Sequence, residues 1–312
     1  MHSGSLRTPL KVISCVVAAA VVLIALHFPY DVDQPLTDAA LERVRGYYAD
    51  AYKQAPATPE QPPSEFDTKY ERVAASVAAQ YDVEGQVRRF ADTFGLKDKR
   101  VLDIGSGRGY LQDIVEDYTG LDISTSVERF YHKAFVLGSA TAMPFEDNHF
   151  DGAWSVWVQE HVPNPEQFLS EARRVVKDDG VIFLYTAWHC RPWAAQGYQV
   201  RPYSDLDLSG KLIKATIPVR EIADGLVRGP IRAMRAFPAS FGPTTLHYHR
   251  LEPNYDIYWQ ADSDAVNSID PHEAMLWFTS RGDECLNCDI LRGTARMTLG
   301  PLVIRVRKHL PG

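Results

Sequence analysis

Between residues 83 and 188 the chain alternates short apolar runs with stretches of helical periodicity. Val101-Leu102-Asp103-Ile104 reads as a short strand buried on both faces, and Thr119-Gly120-Leu121-Asp122 as a second. Asp151–Val158 alternates enough aromatic and aliphatic side chains for another core strand. Phe168, Leu169, Ala172, Val175 and Val176 recur at helical spacing, so Glu166–Lys177 predicts a helix with one face on a sheet. Pro165 suits the first turn of that helix, where its missing N–H costs nothing. Asp178-Asp179-Gly180 then turns the chain into Val181–Tyr185, a continuous apolar run expected of a buried parallel strand. A short helix is expected over Leu111–Glu116. Strands alternating with helices predict an α/β domain with a parallel sheet and a ligand site at the carboxyl ends of its strands.

The flanks read differently. Val12–Phe28 is apolar until His27, with Arg7 and Lys11 before it and Asp31, Asp33 and Asp38 after it. Seventeen helical residues span roughly 25 Å, just short of a hydrocarbon core, and Leu10 and Pro29-Tyr30 extend the run to the interface. Residues 1–30 are therefore expected to be a single-pass signal anchor. A cleaved signal peptide competes, but no small-residue cleavage site is evident around residues 26–29. The basic flank places the N-terminus in the cytoplasm and the domain across the membrane by the positive-inside rule, but the bias is only two basic side chains, so the side on which the domain lies stays open. Residues 31–63 are expected to hold a helix, Thr37–Gln54, and a stiff linker, Ala55–Pro63, with four prolines. Ser64-Glu65-Phe66-Asp67 resembles a capping box, and the folded domain is expected over 64–312. Within it, 190–245 reads as a helical lid or substrate insertion, Leu206–Phe237, interrupted by Pro218, Gly229 and Pro230, with a basic surface lying on an anionic membrane as the alternative reading. Leu246–Leu251 and Tyr255–Gln260 look like strands, His272–Ser280 like a helix begun by Asp270-Pro271, and Leu302–Val306 like a last strand.

At 312 residues, with 45% hydrophobic residues and a net charge of −7, the chain can build one doubly wound domain with extensions. The acidic balance argues against nucleic acid as a partner. Four cysteines supply no disulfide framework. Cys285 and Cys288 have zinc-ligand spacing, and His247 and His249 share one face of a strand. A structural zinc site wants four ligands and only one C-x-x-C is present, so two reduced thiols and no metal are expected.

Chemistry concentrates after the first strand. Asp103 is followed by Gly105, Gly107 and Gly109, three glycines at alternate positions. Such a turn lets the backbone bend sharply and approach a ligand, because no Cβ blocks it. Asp122, ending the second strand, is placed to hold ribose hydroxyls. A nucleoside-containing cofactor is implied. The dinucleotide fingerprint needs glycine where this chain has Tyr110, which disfavours an NAD-type oxidoreductase. The run Ala140-Thr141-Ala142-Met143-Pro144-Phe145, then Phe150-Asp151, Glu160-His161-Val162-Pro163-Asn164-Pro165 and Glu171…Gly180 follows in order. This series resembles the class I S-adenosylmethionine-dependent methyltransferases of the small-molecule and ubiquinone type.

The resemblance implies S-adenosyl-L-methionine as cofactor, held by Asp103, Gly105, Gly107, Gly109 and Asp122. It also implies a Rossmann-like, seven-stranded, mostly parallel sheet with helices on both faces. The anchor would precede this sheet and the helical insertion would come before its last strands. The family's acid after the third strand is replaced by Ser139, so the adenine contact passes to Ser139, backbone at Ala140 and apolar cover from Met143. His161, just beyond the fourth strand, is the candidate general base for a small-molecule or lipid-linked acceptor. Its alternative role is to hydrogen-bond a loop. A divalent cation is associated with E-x-x-E-H in related ubiquinone O-methyltransferases, but Trp157 replaces the first acid here. Trp154, Trp157 and Trp188 are candidates for an aromatic wall or for core packing. A non-catalytic, cofactor-binding protein of the same fold is the main competing reading.

Overall fold

A computed structural model describes residues 9, 11–19, 37–52, 69–255, 262–288 and 300–308. Residues 11–19 are helical and exposed. Among the described residues no helix is long and apolar enough to cross a membrane. Residues 20–28 of the expected anchor, the linker 55–63, the capping box at 64–67 and most of the strand expected at Tyr255–Gln260 lie outside the described residues.

Helix α1 (Asp38–Ala51) comes first, followed by α2 (Lys69–Gln80) and α3 (Val83–Thr93). Strands β1 (Arg100–Ile104), β2 (Asp117–Asp122), β3 (Ala134–Leu137), β4 (Phe150–Val156) and β5 (Val176–Tyr185) then run parallel to one another. Helix α4 (Pro165–Val175) connects β4 to β5, with Pro165 in its first turn as expected. After β5 come α5 (Pro192–Ala195) and the long helix α6 (Leu208–Ala239), then β6 (Tyr248–Arg250), β7 (Asn267–Ile269), α7 (Pro271–Thr279), β8 (Glu284–Cys285) and β9 (Leu302–Arg305). The main sheet has the order β3-β2-β1-β4-β5-β9-β8, with β9 antiparallel to both its neighbours. It is the seven-stranded, mostly parallel sheet expected from the sequence.

Each face of the sheet carries its own core. On one, Leu102, Ile104, Ile182 and Leu184 meet Phe168, Leu169 and Ala172 of α4 and Phe278 of α7. On the other, Val101, Trp154 and Phe183 meet Val87 and Phe90 of α3. Burial on both faces explains why these strands read as unbroken apolar runs rather than alternating ones.

Three expectations need correction. Leu111–Glu116 forms turns, not a helix. With β2 starting at Asp117 there is too little chain to repay helix nucleation, and Leu111, Ile114 and Val115 are instead pinned individually in the core. The strand expected at Leu246–Leu251 is present over Tyr248–Arg250 and pairs antiparallel with β7, outside the main sheet. Pro218 and Pro230 do not interrupt α6, which runs through both. Cys285 and Cys288 are disulfide-bonded rather than reduced, their Cα atoms 5.5 Å apart. Among the described residues, no group of three or more His, Cys, Asp or Glu side chains is arranged to hold a metal ion.

Candidate active site

The carboxyl ends of β1, β2, β3 and β4 open onto one cavity of about 230 Å³. Gly105 follows β1, Asp122 ends β2, Gly138–Thr141 follow β3, and Trp157, Val158 and His161 follow β4. The opposite wall is α1, through Leu41, Val44 and Tyr48, with Tyr52 just beyond it.

The glycine turn is tied to β2 by main-chain bonds: Gly105 and Ser106 both donate to the Leu121 carbonyl, at 2.8 and 3.0 Å. All three glycines have positive φ. At Gly105 the requirement is double. Its φ is +72°, and a Cβ there would lie 2.3 Å from Val158 Cγ2. Any side chain would strain the turn and crowd the cavity floor. The Tyr131 hydroxyl braces the turn, donating to the Gly107 carbonyl at 2.7 Å and lying 2.6 Å from the Ser106 hydroxyl.

Asp122 is held by the turn it serves. Gly107 N–H donates to its Oδ2 and Ser124 N–H to its Oδ1, each at 2.8 Å. Burial raises its pKa, while these backbone donors pull the other way. A fixed carboxylate on a cavity wall fits a ribose diol, and the Cβ-free floor at Gly105 fits a ligand lying close to the main chain. The residues present therefore fit an adenosyl group.

The predicted site residues divide into two sets. Gly105, Asp122, Ser139, Ala140 and His161 line the cavity together. Gly107 stands behind Asp122, where a Cβ would come 3.1 Å from the Tyr52 hydroxyl. Asp103, Gly109 and Met143 are not among the lining residues. Asp103 is buried, accepts a hydrogen bond from the Tyr118 hydroxyl at 2.8 Å, and is pushed up to about 7 by burial. Gly109 makes room for Tyr131, whose Cε1 would lie 2.8 Å from a Cβ. Met143 is in the core beneath the sheet, its amide donating to Glu171 Oε2 at 2.7 Å, so Thr141 borders the cavity in its place. Ser139 turns its hydroxyl to Thr141 Oγ1 at 2.9 Å. Trp157 lines the cavity with φ +53°, whereas Trp154 and Trp188 pack in the cores.

His161 sits among carboxylates. Its Nε2 is 3.7 Å from Glu160 Oε1, and its Nδ1 is 3.3 Å from the Asp264 carbonyl and 3.8 Å from Asp264 Oδ2. Burial lowers the imidazole pKa, but Asp264 and Glu160 together raise it above its ordinary value. Burial pushes Glu160 up to about 7, opposed by His161. Tyr48 donates to Asp264 Oδ2 at 3.0 Å, and its ring meets His161 edge-on at 5.8 Å. The segment carrying Asp264 is fixed because Val266 N–H donates to the Glu160 carbonyl at 2.9 Å. Sequence reasoning missed Tyr48, Tyr52, Tyr131 and Asp264. Asp264 lies 103 residues beyond His161, in a stretch without periodic pattern, and no local signal connects the two.

The family described as a methyltransferase domain matches residues 102–184, from β1 to β5. The domain belongs to the class I S-adenosylmethionine-dependent methyltransferases. S-adenosylmethionine is accordingly the cofactor that the Asp122 and Gly105 cradle fits. Among individual proteins, the methyltransferase domain is similar to the fatty-acid O-methyltransferase of Mycolicibacterium smegmatis, at 36% identity over 36% of this chain and 40% of that protein. It is similar to a sterol 24-C-methyltransferase of Gibberella zeae at 30% identity, over 56% of this chain and 48% of the relative. The demethylmenaquinone methyltransferase of Renibacterium salmoninarum is 32% identical over 38% of this chain and 60% of its own length. The chain thus spans about a third to three-fifths of these curated relatives. A solved S-adenosylmethionine-dependent methyltransferase from Aquifex aeolicus overlaps 32% of this chain and 63% of its own, at 19% identity and a TM-score of 0.29.

Proposed function

We propose that this chain methylates a small-molecule or lipid-linked acceptor, and that His161 takes the acceptor's proton. The observation that carries the reading is the shared cavity of Asp122 and His161, a ribose-type carboxylate and a candidate base between one floor and one roof. S-adenosylmethionine, when bound, supplies a methyl group already activated on a sulfonium. The protein's part is then alignment and proton removal. Asp122 would hold the ribose, Gly105 and Gly107 would let the ligand approach the turn, and Ser139, Ala140 and Thr141 would border the base. Asp264 and Glu160 favour the imidazolium of His161, so a proton taken from an acceptor hydroxyl has a stabilised destination. Leu41, Val44, Val158 and Val162 give the cavity apolar walls. Relatives named for fatty-acid, sterol and menaquinone substrates support an acceptor of that apolar kind.

The same proposal retains residues 12–28 as a membrane anchor, on the apolar run itself and on the exposed helical surface of Val12, Ile13, Val16 and Val17. Full-length protein should pellet with membranes; recovery in the supernatant after sedimentation would remove the anchor from the reading. The cofactor assignment is tested by calorimetry with S-adenosylmethionine, S-adenosylhomocysteine and NAD. Binding of the first two and not the third is expected, and the reverse preference would overturn it. Transfer of labelled methyl groups to fatty-acid, sterol or quinone probes tests the acceptor class.

A further inference from the structure

Helix α6 keeps a long apolar stripe in water. A surface helix ordinarily turns its apolar stripe to the core and its charges to water. Here Leu208, Leu212, Val219, Ile222 and Phe237 are 57–76% exposed. Their offsets of 4, 11, 14 and 29 residues all fall within about 40° of the direction of Leu208 at 3.6 residues per turn. They form one stripe along a helix of 32 residues, or roughly 48 Å. The inward side buries Ile217 and Ile231 and carries charge beside them. Arg232 is buried, with Nε 2.9 Å from Asp270 Oδ2 and Nη2 2.8 Å from Oδ1. Arg235 likewise pairs with Glu273, at 3.0 and 3.1 Å. The helix is clamped in this orientation by ion pairs, so the exposed stripe is a fixed feature of the fold.

Charge selects what covers the stripe. Outside the Arg232 and Arg235 ion pairs the helix has four basic residues against two acidic ones, in a chain whose net charge is −7. Lys211 lies beside the stripe, about 60° from the direction of Leu208, and Arg220 lies further round on the other side, at about 120°. The Lys214 ammonium is bound to the main-chain carbonyls of Gln199 and Arg201, and Arg220 Nε donates to the Thr216 hydroxyl. These are neutral partners, which leave the positive charge uncompensated by an acid. An apolar stripe on a helix with a surplus of cations matches a bilayer interface with anionic headgroups. A second exposed apolar surface lies on the helical residues 11–19, through Val12, Ile13, Val16 and Val17. One lipid surface would serve both.

We propose that α6 is a lipid-surface helix whose stripe seats in the headgroup region of an anionic bilayer. It would lie in the plane of the membrane, a contact separate from any anchoring by residues 12–28. The test is hydroxyl-radical footprinting of the full chain, alone, with phosphatidylcholine vesicles, and with mixed phosphatidylcholine–phosphatidylglycerol vesicles. Modification of Leu212 and Phe237 should fall several-fold on the mixed vesicles and less on the neutral ones. Tyr110, exposed on the glycine turn, should not change. The double variant Val219→Glu/Ile222→Glu should restore modification at Phe237 in the presence of mixed vesicles while binding S-adenosylmethionine like the parent. Unchanged footprints on vesicles would overturn the proposal. So would protection that needs no lipid and follows a concentration-dependent dimer in light scattering, which would assign the stripe to a second copy of the chain. Loss of cofactor binding in the parent protein would count against the methyltransferase reading alone, since the footprint is read without cofactor.

Discussion

Asp122 combines two roles. Its oxygens order the glycine turn through Gly107 and Ser124, and the same carboxylate borders the cavity. Asp122→Ala should weaken S-adenosylmethionine binding by about 1.5–3 kcal/mol, the range for hydrogen bonds to a charged group, as measured by calorimetry. His161→Ala should instead cut turnover by about 10²–10⁴ while leaving cofactor affinity nearly unchanged. Because the carboxylates of Asp264 and Glu160 raise the His161 pKa above 6.5, its basic form is populated only at higher pH. Turnover of the parent should therefore climb through and above neutrality, and the variant should lose that limb; a pH–rate profile of both proteins checks it. Glu160 gives a stability test. Its folded pKa is about 7 against 4.5 when solvated, so its favourable contribution is complete below pH 4.5 and is lost as pH rises through 7. Glu160→Gln should match the parent near pH 4.5 and exceed it above pH 7, by up to about 3 kcal/mol, in thermal unfolding at both pH values. At this scale the sequence discloses what is local. Gly105, Asp122 and His161 stand in ordered motifs between β1 and the start of α4. Asp264 and Tyr48 reach the same imidazole from far along the chain, where neither spacing nor periodicity marks them.

Among the elements, β1, β4, β5 and α4 were legible because burial on both faces of a sheet, or on one face of a helix, leaves a periodic trace. The region after the glycine turn was not. Leu111, Ile114 and Val115 have near-helical spacing, yet the few residues before β2 fold as turns. The pattern at Leu246–Leu251 announces a strand without saying which sheet receives it, since pairing is a long-range choice. Helix α6 is held to the start of α7 by Arg232 and Asp270, and Asp270 also caps α7 by accepting from His272 N–H at 2.8 Å. Replacing Arg232 with Leu would leave that carboxylate buried without its guanidinium. A loss of about 3–5 kcal/mol is expected by denaturant titration. The pair and cap together, the nearby His189 included, hold the Asp270 pKa below 3.8 despite burial. The stability they contribute is present above that value and is lost as pH falls further, so the parent and Arg232→Leu proteins should converge in strong acid.

For the whole molecule, the α/β class and the seven-stranded sheet were readable from alternating patterns and from the family resemblance. The place of α1 was not, because a helix of mixed character followed by prolines looks like an appendage. In the structure it roofs the cavity. Tyr48 bonds Asp264, the Tyr48 and Ala49 carbonyls accept from Ser124 and Ser126, and Arg129 donates to the Tyr52 carbonyl at 2.8 Å. A fragment of residues 31–312 should therefore bind S-adenosylmethionine like the full chain, whereas 64–312 should fold but bind more weakly, as calorimetry on both would show. The connection between roof and floor has a further consequence. Residues 53–68 are their covalent link in sequence, and every other tie is reversible. A single proteolytic nick there would turn an intramolecular cover into a dissociable peptide, whose hold on the body would depend on dilution. Cofactor affinity, fixed in the intact chain, would then become a function of protein concentration.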